Sequence, residues 1–74
     1  MNEIEILKII MRTNNFSYKT LAEKLGYNTP SAVSNRLMGK TITVDTLVKL
    51  LSAMDCELII RNCASNTESY IVKK

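Results

Sequence analysis

The stretch over residues 17–40 constrains the fold more than any other part of this 74-residue chain. In its first half, Leu21 and Leu25 fall on one face at helical spacing, and Gly26 follows at once. A glycine directly after a helix often adopts the left-handed conformation that ends it. Ser17 is a good N-cap residue, because its hydroxyl can accept a hydrogen bond from an amide of the first turn. The first half therefore predicts a short helix that ends at Gly26.

The second half of this stretch predicts another short helix. Thr29 is a plausible N-cap, and Pro30 suits the first helical position, where its missing N–H costs nothing. Val33 and Leu37 then point inward, and Gly39 ends the helix. Two helices joined by so tight a turn, with a small residue where their axes approach, predict a helix-turn-helix.

These two helices resemble the DNA-binding domain of the Cro and lambda-repressor type. The resemblance is carried by L-A-E-K-L-G, then S-A-V-S-N-R-L and G-K, and it covers roughly residues 4–55. One departure concerns spacing, because twelve residues separate Gly26 from Gly39 and the family more often has one fewer. The resemblance implies the fold of that family and leaves the register of the second helix open by one residue.

The whole chain is expected to form one domain, residues 1–74, since it is too short for two cores. Alternating apolar and polar residues in C-E-L-I-I-R-N and S-Y-I-V-K indicate two strands joined by a small polar link over 63–68. The predicted fold is mostly α, with four or five short helices and a C-terminal β-hairpin. The predicted elements are a helix over 3–12, the helix-turn-helix over 17–39, a helix over 44–54 and the hairpin over 56–73.

Apolar side chains outside the motif carry further expectations about the core. Those predicted to be buried are Phe16, Met38, Val44, Val48 and Met54. The first helix carries more apolar residues than one stripe needs, so Ile6 and Ile9 require a separate cover. A segment after residue 55 is expected to supply it. A free hairpin is marginal in water and exposes unpaired strand edges, so it is expected to be the dimer interface or a lid on Ile6 and Ile9.

Charge is concentrated on the predicted helix-turn-helix. The chain has a net charge of +3, while residues 12–40 alone hold five bases against one acid. The rest of the chain therefore sums to −1. A solvated helix face would explain this distribution, but together with the motif it favours a surface that meets phosphates.

Several classes of protein are excluded by what the sequence lacks. It has no histidine and no recognisable catalytic arrangement, so we do not expect an enzyme, a cofactor or a catalytic residue. Two cysteines cannot fill a zinc shell by themselves, and Cys56 and Cys63 are expected to be free thiols, although a disulfide is conceivable. The acidic start M-N-E-I-E lacks the charge of a signal peptide, and no apolar run approaches the roughly 18 residues of a membrane span. The sequence therefore predicts a cytoplasmic protein without membrane contact.

The resemblance implies that the second helix is the recognition helix, which enters the major groove with its N-terminal residues toward base edges. Ala32 is small enough to touch a thymine methyl, and Tyr27 is expected to pack. If Leu37 takes the core position, Arg36 turns outward to phosphate or base. Base-contacting candidates are Thr29, Ser31, Ser34 and Asn35. Phosphate-contacting candidates are Ser17, Tyr18, Lys19, Arg36, Lys40, Thr41 and Thr43.

The resemblance implies sequence-specific binding of double-stranded DNA by a homodimeric transcriptional regulator, most like a small phage or prophage repressor on a palindromic operator. A second interpretation is an antitoxin or other protein-binding module of the same fold, whose hairpin holds a partner protein. A third is a structural helical domain that has lost DNA binding. The fold alone does not separate the three.

Overall fold

A computed structural model of the chain describes residues 1–64 and 68–73. Within this part, four α-helices precede a two-stranded antiparallel sheet, which agrees with the predicted architecture. None of the helices in the described part is long and apolar enough to cross a membrane. The elements are α1 (Glu3–Thr13), α2 (Tyr18–Leu25), α3 (Ser31–Ser34) with a 3₁₀ turn (Asn35–Leu37), α4 (Val44–Ala53), β1 (Leu58–Asn62) and β2 (Glu68–Val72).

Side-chain caps begin three of the helices, and the cap at Ser17 is the predicted one. Asn2 and Thr43 each accept a hydrogen bond from the amide three residues later, which satisfies a backbone donor that has no partner within the helix. At α2 the cap is reciprocal: the Thr20 amide donates to the Ser17 hydroxyl at 3.1 Å, and the Ser17 amide donates to the Thr20 hydroxyl at 2.9 Å. At α1 the cap is one-sided, since Glu5 contributes its amide alone.

The turn of the helix-turn-helix begins at Gly26, whose φ of 76° lies in the left-handed region. The Tyr27 amide then donates to the Ala22 carbonyl at 2.9 Å and closes the end of α2. The predicted N-cap at Thr29 is wrong, because the capping position of α3 is Pro30 and no side chain caps it. The Thr29 hydroxyl instead lies 2.9 Å from the Ser31 hydroxyl.

The second helix of the motif is shorter and tighter than predicted. It comprises the four residues of α3 and the three of the 3₁₀ turn. Small polar residues hydrogen-bond to the nearby backbone and so compete with regular helix; here the Ser34 hydroxyl donates to the Ser31 carbonyl at 3.4 Å. We refer to residues 31–37 as the recognition segment.

One hydrophobic core joins the four helices. Val33 and Leu37 are buried as predicted, and Phe16 packs against the core while Lys24 lies 5.2 Å from its ring centre. The buried residues are Ile4, Leu7, Met11, Leu21, Ala22, Val33, Leu37, Val48, Leu50, Leu51 and Met54.

Two of the predicted core residues are exposed. Met38 is 78% exposed, because the recognition segment ends at Leu37 and the chain leaves the core there. Val44 is 49% exposed, because it is the first residue of α4 and lies one turn before Val48, which is buried.

The hairpin does not provide the cover predicted for α1. Ile6 and Ile9 remain 43% and 40% exposed, because the hairpin extends away from the helices rather than folding over them. The molecule accordingly measures 44 × 22 × 22 Å, and Leu58 is the strand residue that packs against the core. A cleft of 330 Å³, lined on its two sides by residues such as Ser52 and Ile71, separates α4 from β2.

The strands pair in one register, with Leu58 opposite Val72 and Ile60 opposite Tyr70. These four residues share one face of the sheet with Asn62 and Glu68, and we call it the even face. The odd face carries Ile59, Arg61, Ser69 and Ile71. Of the predicted link over 63–68, residues 65–67 lie outside the described residues.

Both faces of the hairpin expose large apolar side chains. Ile59, Ile60, Tyr70 and Ile71 are each between 50% and 60% exposed. The Tyr70 hydroxyl donates to the Glu68 carboxylate, which raises the pKa of the phenol above its usual 10.0, with a smaller contribution from desolvation.

Candidate nucleic-acid interface

The recognition segment has one buried and one polar side, and two anchors set its orientation. Val33 and Leu37 are both buried in the core, which is the spacing of one helix face. Ser31 and Asn35 are therefore turned outward and are exposed, while Ser34 and Ala32 are half-buried. This answers the question of register: Leu37 occupies the core position, and Arg36 is on the surface.

The predicted base-contacting residues differ in how free their side chains are. The hydroxyls of Thr29 and Ser31 contact each other, and the Ser34 hydroxyl is bonded to the backbone. The side-chain amide of Asn35 forms no hydrogen bond with any other described residue. Its donor and acceptor groups are thus available together, as bidentate recognition of adenine requires.

Arg36 lies along the recognition segment rather than extending into solvent. One guanidinium nitrogen donates to the Ala32 carbonyl, and the guanidinium carbon is 4.5 Å from the centre of the Tyr27 ring. A separation below about 6 Å is that of a cation–π contact. Tyr27 itself packs against the core, as predicted. The guanidinium keeps its charge and further N–H donors for a phosphate or base.

The predicted phosphate-contacting residues lie at the two ends of the motif. Tyr18 and Lys19 begin α2 and are exposed, while Lys40 and Thr41 follow the recognition segment and are also exposed. The Ser17 and Thr43 hydroxyls are used as helix caps. Their helices still present backbone amides at the N-terminus, where an anion is favoured.

A shallow groove of 280 Å³ separates the recognition segment from the start of α4. Asn35 and Arg36 line one side, and Thr41, Thr43 and Thr46 line the other. Thr46 was not predicted as part of the surface. The sequence does contain a signal that could have indicated it. A Ser or Thr N-cap is followed three residues later by a threonine both at Ser17 and Thr20 and at Thr43 and Thr46.

The described residues offer no obvious metal site. Among residues 1–64 and 68–73, no three or more His, Cys, Asp or Glu side chains are grouped so that they could hold a metal ion. Cys56 is half-buried and Cys63 is exposed, and both are free thiols. The chemistry available on the surface around the recognition segment is therefore that of hydrogen bonds and positive charge.

Comparison with known proteins also identifies a helix-turn-helix in this chain. A family model described as helix-turn-helix, of the Cro/C1 type, matches residues 7–60, about three quarters of the chain. The matched part begins within α1 and ends within β1, so it includes both helices of the motif and α4. Neither a curated protein nor a solved structure matches the chain.

Proposed function

The chain belongs to the helix-turn-helix family, a family of DNA-binding transcription regulators, and from this premise we propose that it is a homodimeric repressor of a palindromic operator. In this proposal the recognition segment enters the major groove of double-stranded DNA. A repressor of this kind occludes a promoter by occupying its operator, so the proposal needs no cofactor. It corresponds to the small regulators of phages and prophages that the sequence resembles.

The observation that carries the proposal is the orientation of the recognition segment. Burial of Val33 and Leu37 leaves an outward side made of short polar residues with Asn35 at its centre. Short side chains let a helix approach the base edges closely, and a free asparagine amide reads adenine through its N6 and N7 atoms. We therefore propose base contacts from Thr29, Ser31, Ser34 and Asn35, with Asn35 the most discriminating.

Phosphate contacts are proposed on both sides of the recognition segment. The net +4 over residues 12–40 supplies the attraction, and exposed Lys19 and Lys40 lie at opposite ends of the motif in sequence. Contacts to phosphate set the position of a protein on the duplex but carry no sequence information. Proposed phosphate contacts come from Ser17, Tyr18, Lys19, Arg36, Lys40, Thr41 and Thr43.

Homodimerisation is proposed because one recognition segment of seven residues reads few base pairs. A two-fold symmetric dimer reads two half-sites and multiplies both affinity and specificity. The half-sites of helix-turn-helix dimers are centred about ten base pairs apart, or a multiple of one helical turn.

Selection of bound sequences from random duplex DNA tests the proposal directly. We expect enrichment of a palindrome whose half-sites are separated by about one helical turn. Enrichment of a single asymmetric site would refute the homodimer while leaving DNA recognition intact. Absence of any enriched sequence, with salt-independent behaviour on DNA, would favour a helical domain that has lost DNA binding.

The exposed hairpin favours one second candidate, a protein-binding module such as an antitoxin. Ile59, Ile60 and Tyr70 present apolar surface on both faces of a sheet with two free edges. A partner protein that adds a strand to such an edge would be held by main-chain hydrogen bonds. Co-purification of a stoichiometric partner with the natively expressed chain supports this candidate, and a chain that purifies alone as a dimer speaks against it.

A further inference from the structure

We propose that the outer edge of β1 pairs with the β1 edge of a second copy of this chain, in an antiparallel register centred on Ile59. The inference rests on the proposed homodimer and specifies where its interface lies. The resulting sheet has four strands in the order β2, β1, β1 and β2, with the two-fold axis between the two Ile59 residues. The occupant of the edge is the same edge of the second copy.

The first argument is that β1 has an unpaired edge. The described sheet consists of β1 and β2 alone, so each strand pairs on one side only. Unpaired backbone N–H and C=O groups in an extended, apolar strand are a template for pairing with another chain. The segment L-I-I at the start of β1 carries no charge that would prevent this pairing.

The second argument is charge complementarity of the β1 edge with itself. In a two-fold antiparallel pair centred on Ile59, Glu57 of one copy is directly opposite Arg61 of the other, and the pair occurs twice. Directly opposite residues lie on the same face, with Cβ atoms about 4.5–5.5 Å apart, which is within reach of an ion pair. Neither side chain has a hydrogen bond or ion pair with any other residue in the described ranges. The second copy therefore supplies the partner that each of them lacks.

The third argument is that the same register matches apolar residues with apolar residues. It places Ile59 against Ile59 on the odd face and Leu58 against Ile60 on the even face. Leu58 and Ile6 line the same small groove between α1 and α4. Ile60 of the second copy would thus lie next to the exposed Ile6, and both would lose contact with water.

Other registers of the β1 edge are less favourable. Centring the pair on Ile60 places Leu58 opposite Asn62 and Ile59 opposite Arg61, so two of the three apolar side chains meet polar ones. Apolar and opposite-charge pairs are the arrangements that stabilise a sheet across neighbouring strands. The register centred on Ile59 provides both.

The β2 edge is also a poorer match to itself. Centred on Tyr70, it places Glu68 opposite Val72, and centred on Ile71, it places Lys73 opposite Ser69. In addition, the Glu68 carboxylate already accepts the hydrogen bond of Tyr70 within its own strand. In a pair of β2 edges, therefore, no opposite charges of the described residues face each other, whereas in a pair of β1 edges they do.

Charge exchange provides the first test. Glu57→Arg and Arg61→Glu each replace two attractive pairs with two repulsive ones, and each variant alone should dimerise about ten- to a hundredfold more weakly in sedimentation equilibrium. An equimolar mixture of the two variants should recover a heterodimer, because the two bases on the edge of one variant then face the two acids on the edge of the other. Lys73→Glu, the same charge change as Arg61→Glu just after β2, is the matched control and should dimerise as the unmodified chain does. Dimerisation that is unchanged in both single variants would overturn the proposal.

Cross-linking provides the second test and does not depend on the charged residues. In a chain with Cys56→Ser and Cys63→Ser, Ile59→Cys should form an intermolecular disulfide on oxidation, since opposite Cα atoms in antiparallel pairs are about 4.5–5.5 Å apart. Ile71→Cys is equally exposed and on the same face, and it should stay monomeric on a denaturing gel. Efficient cross-linking through residue 71 and not through residue 59 would overturn the proposal and would indicate that the two copies pair through β2.

Binding to DNA separates a failure of this inference from a failure of the proposed function. The charge variants should bind a single half-site with unchanged affinity and lose affinity only for the full palindrome. A chain that dimerises and binds the palindrome, with charge variants that do the same, would overturn the β1 interface alone. A chain that dimerises through Ile59 and binds no DNA would support the interface and refute the repressor.

Discussion

The guanidinium of Arg36 stacks on the ring of Tyr27, with 4.5 Å between the guanidinium carbon and the ring centre. This contact connects the turn of the helix-turn-helix to the last turn of the recognition segment. It matters because the N-terminus of α3 has no side-chain cap, so neighbouring groups must hold the segment in place. Arg36 also donates to the Ala32 carbonyl, so its side chain lies along the segment on the side of Tyr27.

We predict that Arg36 and Tyr27 stabilise the free protein jointly. In urea unfolding, a double-mutant cycle of Arg36→Ala and Tyr27→Leu should give a coupling free energy of about 0.5–1 kcal/mol. Arg36→Lys keeps the charge but loses the planar stacking surface, so it should recover only part of this energy. Additive effects of the two substitutions would mean that the stack does not stabilise the segment.

The two glycines should respond differently to alanine. Gly26 has a φ of 76°, so Gly26→Ala should cost about 1 kcal/mol of unfolding free energy, although an added Cβ would meet no atom within 4 Å. Gly39 lies outside the left-handed region, and its Cβ would be 3.7 Å from the Thr41 carbonyl oxygen, an ordinary contact. Gly39→Ala should therefore leave stability nearly unchanged in thermal or urea unfolding. Equal losses of unfolding free energy in the two variants would show that the left-handed backbone of Gly26 is not the reason for a glycine there.

Phosphate contacts predict a change in the salt dependence of DNA binding. Lys40→Ala and Arg36→Ala should weaken binding to all sequences alike, and each should reduce the slope of log K against log salt by about 0.9. Lys49→Ala, an exposed lysine outside the proposed surface, is the control and should leave the slope unchanged. Unchanged slopes for both Lys40 and Arg36 would move the phosphate surface elsewhere on the protein.

Specificity should depend most on Asn35. Asn35→Ala should cost about 1–3 kcal/mol on the selected operator and relax discrimination at one position in each half-site. Ser34→Ala should have a smaller effect, because Ser34 is half-buried and its hydroxyl is bonded to the Ser31 carbonyl. Affinities for operator variants at every position measure both effects. A large effect of Ser34 with none of Asn35 would shift the register of base contacts by one residue.

Removing the hairpin should separate folding from dimerisation. Deletion of residues 63–74 removes β2, whereas the core is built from the helices with Leu58 at its edge. We expect a folded helical monomer by circular dichroism and sedimentation, whose affinity for the palindrome falls toward its affinity for a half-site. A truncated chain that stays dimeric and binds the full palindrome as before would show that the interface does not need β2.

Local signals made much of the fold predictable. The cap at Ser17, the left-handed Gly26 and the alternation in the hairpin each depend on a few neighbouring residues, and the structure agrees with all of them. The exposure of Asn35 and Lys40 was also predictable, because both positions follow from the motif, whereas the place of Thr46 in the groove beside Asn35 was not predicted. The stack of Arg36 on Tyr27 was not, since no short-range pattern indicates that these two side chains meet.

What the sequence by itself determined is therefore the identity and order of the elements and the polar character of the recognition segment. Only the tertiary structure decided that Met38 and Val44 are exposed and that the hairpin leaves Ile6 and Ile9 uncovered. The physical reason is that hydrogen-bonded caps and turns form within a few residues. Burial depends instead on where separate elements cross and end, and periodicity within one element carries no information about that.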